Sequence, residues 1–155
     1  MRRKKKRNHP INPDPVYSSV KVAKFINHIM KGGKKSIAKK IVYKALEEIK
    51  EKTKEDPMLV FERSLQNAMP VMEVRSRRIG GATYQVPIEV KGERRLSLAM
   101  RWIVQGAKSR KKGPMFKKLS EELIEASQNK GLAVKKKEEI QKLAEANRAF
   151  AHLAW

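Results

Sequence analysis

Apolar residues recur three and four positions apart through residues 20–53, which is the spacing of amphipathic helices. The pattern predicts a first helix from about Ser19 to Met30, ended by Gly32 and Gly33, because glycine commonly follows the last turn of a helix. It predicts a second helix over about 35–53. The residues expected to face the core are Val22, Phe25, Ile26 and Ile29 in the first helix, and Ile37, Ile41, Ala45 and Ile49, with Val42 and Leu46, in the second.

A third helix is predicted to begin at Asp56-Pro57, because aspartate caps the free N–H groups of a first turn and proline fits its first position. Pro70 is expected to end this helix, since proline cannot continue one. Its core side is expected to comprise Phe61, Leu65, Ala68 and Met69.

Residues 71–91 alternate between apolar and polar, which predicts a β-hairpin that reverses at Gly80-Gly81. A two-residue turn would place Met72 opposite Glu89 and Val74 opposite Pro87, mixing the two faces, so we expect a loop of three or five residues. The base should pack on helices while the tip projects. The expected apolar face is Met72, Val74, Val86, Ile88 and Val90, and the expected polar face is Arg75, Arg77, Gln85 and Glu89.

Three more helices are predicted: a fourth over about 93–110, a fifth ended by Gly131, and a sixth over about 133–151. Trp102 is expected in the core, because tryptophan among Leu and Met packs more often than it stacks on a base. The other expected core residues are Leu96, Ala99, Met100, Ile103 and Ala107, then Phe116, Leu119, Leu123 and Ser127, then Ile140, Leu143, Ala144, Asn147 and Ala151. The predicted fold is mainly α: one domain over residues 19–155 with six helices and a protruding two-stranded antiparallel ribbon between the third and fourth.

The charge is distributed in blocks and sums to +21. Residues 1–46 hold 14 Lys/Arg against one acid, and residues 63–120 hold 14 against 3. Residues 47–62 are acidic on balance and residues 121–155 are neutral. Solubility alone requires neither this net charge nor this segregation. Two cationic blocks are typical of a surface that binds a polyanion, and nucleic acid is the leading candidate.

The strongest basic segment is the run at the amino terminus, followed by Pro10, Pro13 and Pro15. Charge repulsion and the prolines oppose a helix, so residues 1–18 are expected to form a flexible arm. A solvated tail or a localisation signal is the simpler interpretation, whereas the terminal position favours an arm that follows phosphates. The run comprises Arg2, Arg3, Lys4, Lys5, Lys6 and Arg7.

Three further cationic segments are candidates for phosphate contact. The start of the second helix is basic, although the helix dipole favours acids there, so this start is a candidate phosphate site. Arginines cluster near the two glycines of the hairpin, and the fourth helix carries a basic stripe at seven-residue spacing for which only Glu93 offers a nearby acid. The candidate residues are Gly33, Lys34 and Lys35, then Arg75, Arg77, Arg78, Gly80 and Gly81, then Arg94, Arg101 and Lys108 with Gln105, and the loop residues Arg110, Lys111 and Lys112.

Catalytic chemistry has little support in the sequence. There is no cysteine, and the three histidines are too dispersed to suggest a zinc site. The adjacent glutamates at 47–48, 121–122 and 138–139 are expected to be solvated surface, and no cofactor loop or nucleophile motif occurs. No stretch approaches the ~20 apolar residues of a membrane helix. We therefore predict no enzyme, cofactor, metal, small-molecule substrate or membrane partner; attraction to an acidic lipid surface is the weakest reading of the charge.

The hairpin segment Arg75-Ser76-Arg77-Arg78-x-Gly80-Gly81-x-x-Tyr84-Gln85-Val86-Pro87-x-Glu89-Val90 resembles the family of bacterial small-subunit ribosomal protein seven. Supporting matches are Phe25-Ile26-Asn27 with Gly33-Lys34-Lys35-Ser36, then Arg94-Arg95, Ala99 and Arg101-Trp102, and the Ala146-Asn147-Arg148-Ala149-Phe150-Ala151-His152 ending. The similarity spans nearly the whole chain. It departs from the family at Leu153-Ala154-Trp155, where a Tyr-Arg-Trp-like tail is common.

The resemblance implies a cytoplasmic protein of the ribosome that binds the 3′ major domain of small-subunit rRNA and nucleates assembly of the subunit head. It further implies a hairpin near the exit-site tRNA, the mRNA exit path close by, and small-subunit proteins nine and eleven as neighbours. The implied rRNA-contacting set is the set of cationic segments above, with Arg95 added.

Two alternatives stay open at this point. A DNA-bending architectural protein also combines a helical body with β-arms. An RNA-modifying enzyme would instead turn over RNA with an added cofactor. Competition between folded rRNA and duplex DNA at fixed salt distinguishes an rRNA-binding protein from the DNA-bending alternative, since RNA-binding proteins recognise 2′-hydroxyl groups and irregular folds.

Overall fold

A computed structural model describes residues 11–154; the predicted arm Arg2–Arg7 and the last tail residue lie outside this range. Within it, six α-helices surround a buried core, and a two-stranded antiparallel ribbon separates the third helix from the fourth, as predicted. The elements are α1 Val20–Ile29, α2 Lys35–Thr53, α3 Pro57–Ala68, β1 Met72–Ile79, β2 Ala82–Glu89, α4 Gly92–Ser109, α5 Met115–Ser127, α6 Gly131–Ala146 and the short 3-10 helix η1 Arg148–Leu153.

The predicted starts of the first and third helices are confirmed. The Ser19 side chain accepts a hydrogen bond from the N–H of Val22, and Asp56 accepts one from Met58 at 2.9 Å, with Pro57 in the first turn. Each cap satisfies an N–H that has no partner inside the helix. Together they fix where two helices that line the core begin.

The core is built around α5, which packs on α2, α3, α4 and α6. Leu119 and Leu123 of this helix are almost fully buried, and Phe25 meets Phe61 with ring centroids 5.2 Å apart. Trp102 is 6% exposed, so its predicted core position is confirmed. Across residues 11–154, the helices are too short or too polar to span a bilayer.

The hairpin loop was predicted wrongly. Ile79 pairs with Ala82, so the turn has two residues and Met72 does lie opposite Glu89. Gly80 and Gly81 have φ values of +55° and +90°, which suits the tight turn that strand twist favours. The prediction failed because it assumed an entirely apolar face, whereas the buried residues of the hairpin include a glutamate, described below.

The buried side of α2 is rotated from the predicted stripe. Ile37 is 52% exposed and Ile41 is only partly covered, while Ala38, Val42 and Leu46 are buried. Val42, Ala45, Leu46 and Ile49 are buried as predicted. The buried face is therefore shifted away from Ile37 and Ile41 toward Ala38.

The last two helices are shorter than predicted. The fifth ends at Ser127, and Gly131 is the first residue of the sixth instead of a terminator. The sixth ends at Ala146, after which the Asn147 side chain donates a hydrogen bond to the carbonyl of Leu143 and the chain tightens into η1. Leu143, expected in the core, is 49% exposed.

Candidate nucleic-acid interface

The loop between α1 and α2 presents cations beside an open helix start. Gly32 and Gly33 have φ values of +59° and +74°, which turn the chain sharply after α1. Lys34 and Lys35 are exposed, and no side chain among residues 11–154 caps the first turn of α2. Free N–H groups and the positive end of the helix dipole therefore lie next to two lysines, which is a favourable environment for a phosphate.

The stripe predicted on α4 divides into two parts. Arg101, Gln105 and Lys108 are exposed on the side opposite the buried Ile103. Arg94 is exposed too, but its Nε lies 2.7 and 2.9 Å from the two carboxylate oxygens of Glu73. The expectation that only Glu93 is available to this stripe is therefore wrong, because a strand supplies a second acid.

Glu73 ties the base of the hairpin to α4. It is 8% exposed and also accepts a hydrogen bond from the Nε of Arg75 at 2.7 Å. Arg95 adds a second link, donating to the carbonyl of Pro70 at 3.0 Å. Arg94 and Arg95 thus hold the ribbon on the helical body, and Arg75 pairs with Glu73 within the same strand. These pairs stabilise Glu73, since a buried carboxylate is stable only when paired.

The outer part of the hairpin is lined by the end of the chain. The ring of Tyr84 lies 5.3 Å from that of Phe150 in η1, and Arg77 donates to the carbonyl of Leu153 at 3.2 Å. Arg78, Gly80 and Gly81 are exposed beyond these contacts. The ribbon is thus covered along one face and free at its tip.

The loop between α4 and α5 exposes Lys108, Lys111 and Lys112 but not the whole of Arg110. The Arg110 guanidinium lies 2.8 Å from Glu122 and also meets Glu121 and Glu125. Burial alone lowers the pKa of Arg110, but hydrogen bonds to the carboxylates of Glu125 and Glu122 outweigh it and raise that pKa. Arg110 therefore stays charged and fastens the loop to α5.

Glu122 was predicted to be solvated, and this prediction is wrong. Its side chain is fully buried and accepts hydrogen bonds from Arg110 and from the N–H of Ala133 at 2.9 Å. A β-carbon on Gly106 would meet Glu122 Oε1 at 2.6 Å, so only glycine leaves room for this carboxylate between α4 and α5. Glu48 is also largely covered, at 13% side-chain exposure.

Two contacts link the exposed basic segments. Asn27 and His28 line one groove together with Ser97 and Met100, which places the end of α1 beside the middle of α4. Burial, and then the positive charge of Arg101, lowers the pKa of His28. The Lys44 Nζ lies 5.7 Å from the centroid of the Phe116 ring, which places the middle of α2 beside the start of α5.

No acid occurs in residues 15–46 or 94–120, which contain the exposed cations of the α1–α2 loop, of α4 and of the α4–α5 loop. Lys34, Lys35, Arg101, Lys108, Lys111 and Lys112 form no ion pair with any residue of the described range 11–154. We call these six residues the open basic surface. Exposed cations without internal carboxylates are free to neutralise phosphates.

The sequence analysis missed the anchor at the root of the predicted arm. Asp14 is 3% exposed and accepts hydrogen bonds from the Tyr43 hydroxyl at 2.7 Å and from the N–H of Val16 at 3.1 Å. Burial and the bond to Asp14 raise the pKa of Tyr43 to about 12. The signal was present, because Asp14 is the only acid among the first 46 residues.

The part of the chain that the structure describes offers no metal-binding site. No group of three or more His, Asp or Glu residues in that part is arranged to hold an ion.

Comparison with known proteins shows the family to which the chain belongs. The family described as "Ribosomal protein S7p/S5e" matches residues 1–148. The chain is 57% identical to "Small ribosomal subunit protein uS7" of Thermotoga maritima and 56% identical to that of Thermosipho africanus, in each case over the full length of both chains. It is 60% identical to that of Caldanaerobacter subterraneus over 92% of each chain. The chain therefore belongs to the S7p/S5e family of ribosomal proteins, as a structural, non-enzymatic protein of the small ribosomal subunit in the cytoplasm.

Proposed function

We propose that this chain binds the 3′ major domain of small-subunit rRNA early in assembly and nucleates folding of the subunit head. In this proposal the hairpin tip lies near the exit-site tRNA and the mRNA exit path. Small-subunit proteins nine and eleven are its protein neighbours. Membership of a ribosomal family favours folded RNA over duplex DNA as the polyanion.

The observation that carries the proposal is the open basic surface, which faces no acid of its own segments. Two of its loops run directly into helix starts, at Lys35 and Met115, that no side chain of residues 11–154 caps. Lysine charges and free backbone N–H groups thus point to the same ligand. A folded RNA offers phosphates at several orientations, which suits a surface assembled from loops and one helix side.

The cations predicted from sequence take two roles in this proposal. Direct contact belongs to the open basic surface, to Arg78 with Gly80 and Gly81 at the hairpin tip, to Gly33, and to the arm Arg2–Arg7, which lies outside the described residues. Arg75, Arg94, Arg95 and Arg110 are held by Glu73, Pro70 and Glu122, and Arg77 contacts the end of the chain. Any RNA contact by this second group uses the groups that these bonds leave free.

Chemical footprinting of the 3′ major domain rRNA tests the proposal. The purified protein should protect one contiguous rRNA region, and the protection should weaken in the Arg101→Ala/Lys108→Ala double variant. A matched control is Lys130→Ala/Lys142→Ala, which removes the same charge from exposed positions just before and near the end of α6. Protection of no defined region by the wild-type protein would reject the proposal, and equal losses in both double variants would reject the open basic surface as the contact.

The tRNA-side part of the proposal is tested at the hairpin tip. Arg78→Ala should leave rRNA binding nearly intact and reduce retention of exit-site tRNA in reconstituted subunits, because Arg78 lies beyond the contacts that hold the ribbon. The control is Arg63→Ala, an exposed arginine of α3. Equal tRNA retention by the two variants would show that the hairpin tip does not contribute to binding of the exit-site tRNA.

A further inference from the structure

A groove lies between α1 and α4 at the edge of the open basic surface, with a volume of about 300 Å³. Lys24 and His28 of α1 line it along one side, and Leu96 and Met100 of α4 line the other. Contacts advance in the same direction along both helices, from the Lys24–Glu93 pair at 3.8 Å to His28 beside Arg101. The groove therefore follows the two helices toward the cationic loops.

The floor of the groove is apolar and its walls are polar. Met100 is fully buried, and Leu96 and Ile11 complete the apolar part. Asn27, His28 and Ser97 line the same groove, and none of their side chains makes a hydrogen bond to another residue of the range 11–154. An amide, an imidazole and a hydroxyl with unused donors and acceptors thus surround a surface suited to a flat, apolar face.

His28 contributes both a donor and an acceptor to this groove. Burial, and then the charge of Arg101, lowers the pKa of His28, so the imidazole is neutral near pH 7. A neutral imidazole carries one N–H and one free nitrogen lone pair. Asparagine offers the same combination, which is the pattern that reads the edge of a nucleobase.

We propose that the groove between α1 and α4 receives one unpaired nucleobase of the bound rRNA. The base lies on Leu96 beside Ile11, and its edge meets Asn27, His28 and Ser97. The inference rests on the proposed function, since it names one contact within the RNA interface. Specific RNA recognition commonly takes bases that are splayed out of the helix and reads their edges.

The charges at the rim favour a nucleotide over an apolar peptide. Arg101 and Lys24 flank the groove, and the phosphates of an inserted nucleotide would lie at that rim. Among residues 11–154, Glu93 is the only acid that lines the groove; its side chain is 96% exposed and lies 3.8 Å from the Lys24 amine. A peptide would gain nothing from the adjoining open basic surface, whereas an RNA strand continues onto it.

Groove-filling variants test this inference. Ser97→Phe places a ring in the space meant for the base, and Asn27→Ala removes an edge contact without adding bulk. Ser97→Phe should weaken binding of 3′ major domain rRNA about tenfold, the size of one lost base contact. Gln141→Phe, on the exposed side of α6, is the matched control and should bind as the wild type does.

Two readouts identify the lost contact as a base. The salt dependence of binding should be unchanged in Ser97→Phe and Asn27→Ala, because no phosphate contact is removed. Dimethyl sulfate should modify one adenine or cytosine base that the wild-type protein protects, while protection of the surrounding backbone persists. Circular dichroism confirms the fold of each variant, and Asn27→Ala carries the test if Ser97→Phe unfolds.

The inference is overturned if both folded variants bind with wild-type affinity and protect the same bases. It is also overturned if their losses come with a smaller salt dependence, which would indicate a phosphate in the groove. The proposed function fails in a different way, by the absence of any rRNA region that the wild-type protein protects.

Discussion

At the scale of the residue, buried carboxylates organise the cations of this protein. Glu73 and Glu122 each hold an arginine that the sequence offers as an RNA ligand. Their burial was not predictable, because each stands among ordinary surface residues in the sequence and only tertiary packing brings the arginines to them. Asp56 and Pro57 were predictable, because a cap acts on the residues next to it.

We predict that Glu122→Gln destabilises the protein by about 2 kcal/mol, the size expected for a hydrogen bond to a charged group that loses its charge. The control is Glu121→Gln, an identical change at a neighbouring position that is 47% exposed, where the loss should be at most ~0.5 kcal/mol. Urea unfolding measures both. Equal losses would show that the Arg110–Glu122 contact contributes no more than a surface pair.

Gly106→Ala should destabilise the protein by about 1–3 kcal/mol, because the added carbon displaces the Glu122 carboxylate from its partners. Gly92→Ala is the matched change at the start of the same helix, where a β-carbon meets nothing within 4 Å. There alanine should stabilise by up to ~1 kcal/mol through helix propensity. Thermal or urea unfolding measures the stability of both variants. A change of stability in the same direction in both would contradict the packing argument.

The Tyr43–Asp14 hydrogen bond should make stability depend on pH in the alkaline range. The pKa of Tyr43 is raised to about 12, above the ordinary value of 10.0, so the folded state favours the neutral phenol. Its contribution is complete below pH 10 and is lost as the pH rises from about 10 to about 12. The difference in unfolding free energy between the wild type and Tyr43→Phe should therefore shrink over that range, and a constant difference would contradict it.

At the scale of the element, local sequence signals predicted where the helices lie but did not predict every residue of their buried faces. The hydrophobic spacing located all six helices, but on α2 it also assigned Ile37 and Ile41 to the core. Only tertiary packing shows that Ala38 is buried there instead. The break after Ala146 depends on the Asn147 side chain bonding back to Leu143. An asparagine at that position does not by itself predict the end of a helix.

The hairpin should depend on η1 for its order, because a two-stranded ribbon is marginal in water by itself. Ending the chain after Asn147 removes the Phe150 ring and the Leu153 carbonyl that contact β2 and β1. Amide hydrogens of residues 76–85 should then exchange at least about tenfold faster, while those of α5 are unchanged.

The control for this truncation ends the chain after Leu153, which keeps both contacts. Its exchange over residues 76–85 should match that of the full chain. Equal protection in the two truncated forms would mean that the ribbon is stable without η1.

At the scale of the whole molecule, the charge blocks of the sequence indicated the partner but not the contact surface. In the acid-free segments of the chain, cations such as Lys34 and Lys111 stay open because no acid is near them in sequence. Folding nevertheless brings acids of other elements to some cations of the same segments, as at Arg94. The sequence alone shows which segments lack acids. To know which of their cations pair with distant acids requires the fold, because Glu73 and Arg94 lie on different elements.

The most direct test of the account is the salt dependence of rRNA binding by the open basic surface. Each neutralised phosphate contributes about 0.7–0.9 to the slope of log affinity against log salt concentration. The Arg101→Ala/Lys108→Ala variant should therefore lower that slope by about 1.4–1.8, while Lys130→Ala/Lys142→Ala leaves it unchanged. A wild-type slope in the Arg101→Ala/Lys108→Ala variant would contradict the claim that these exposed cations meet the phosphates of the RNA.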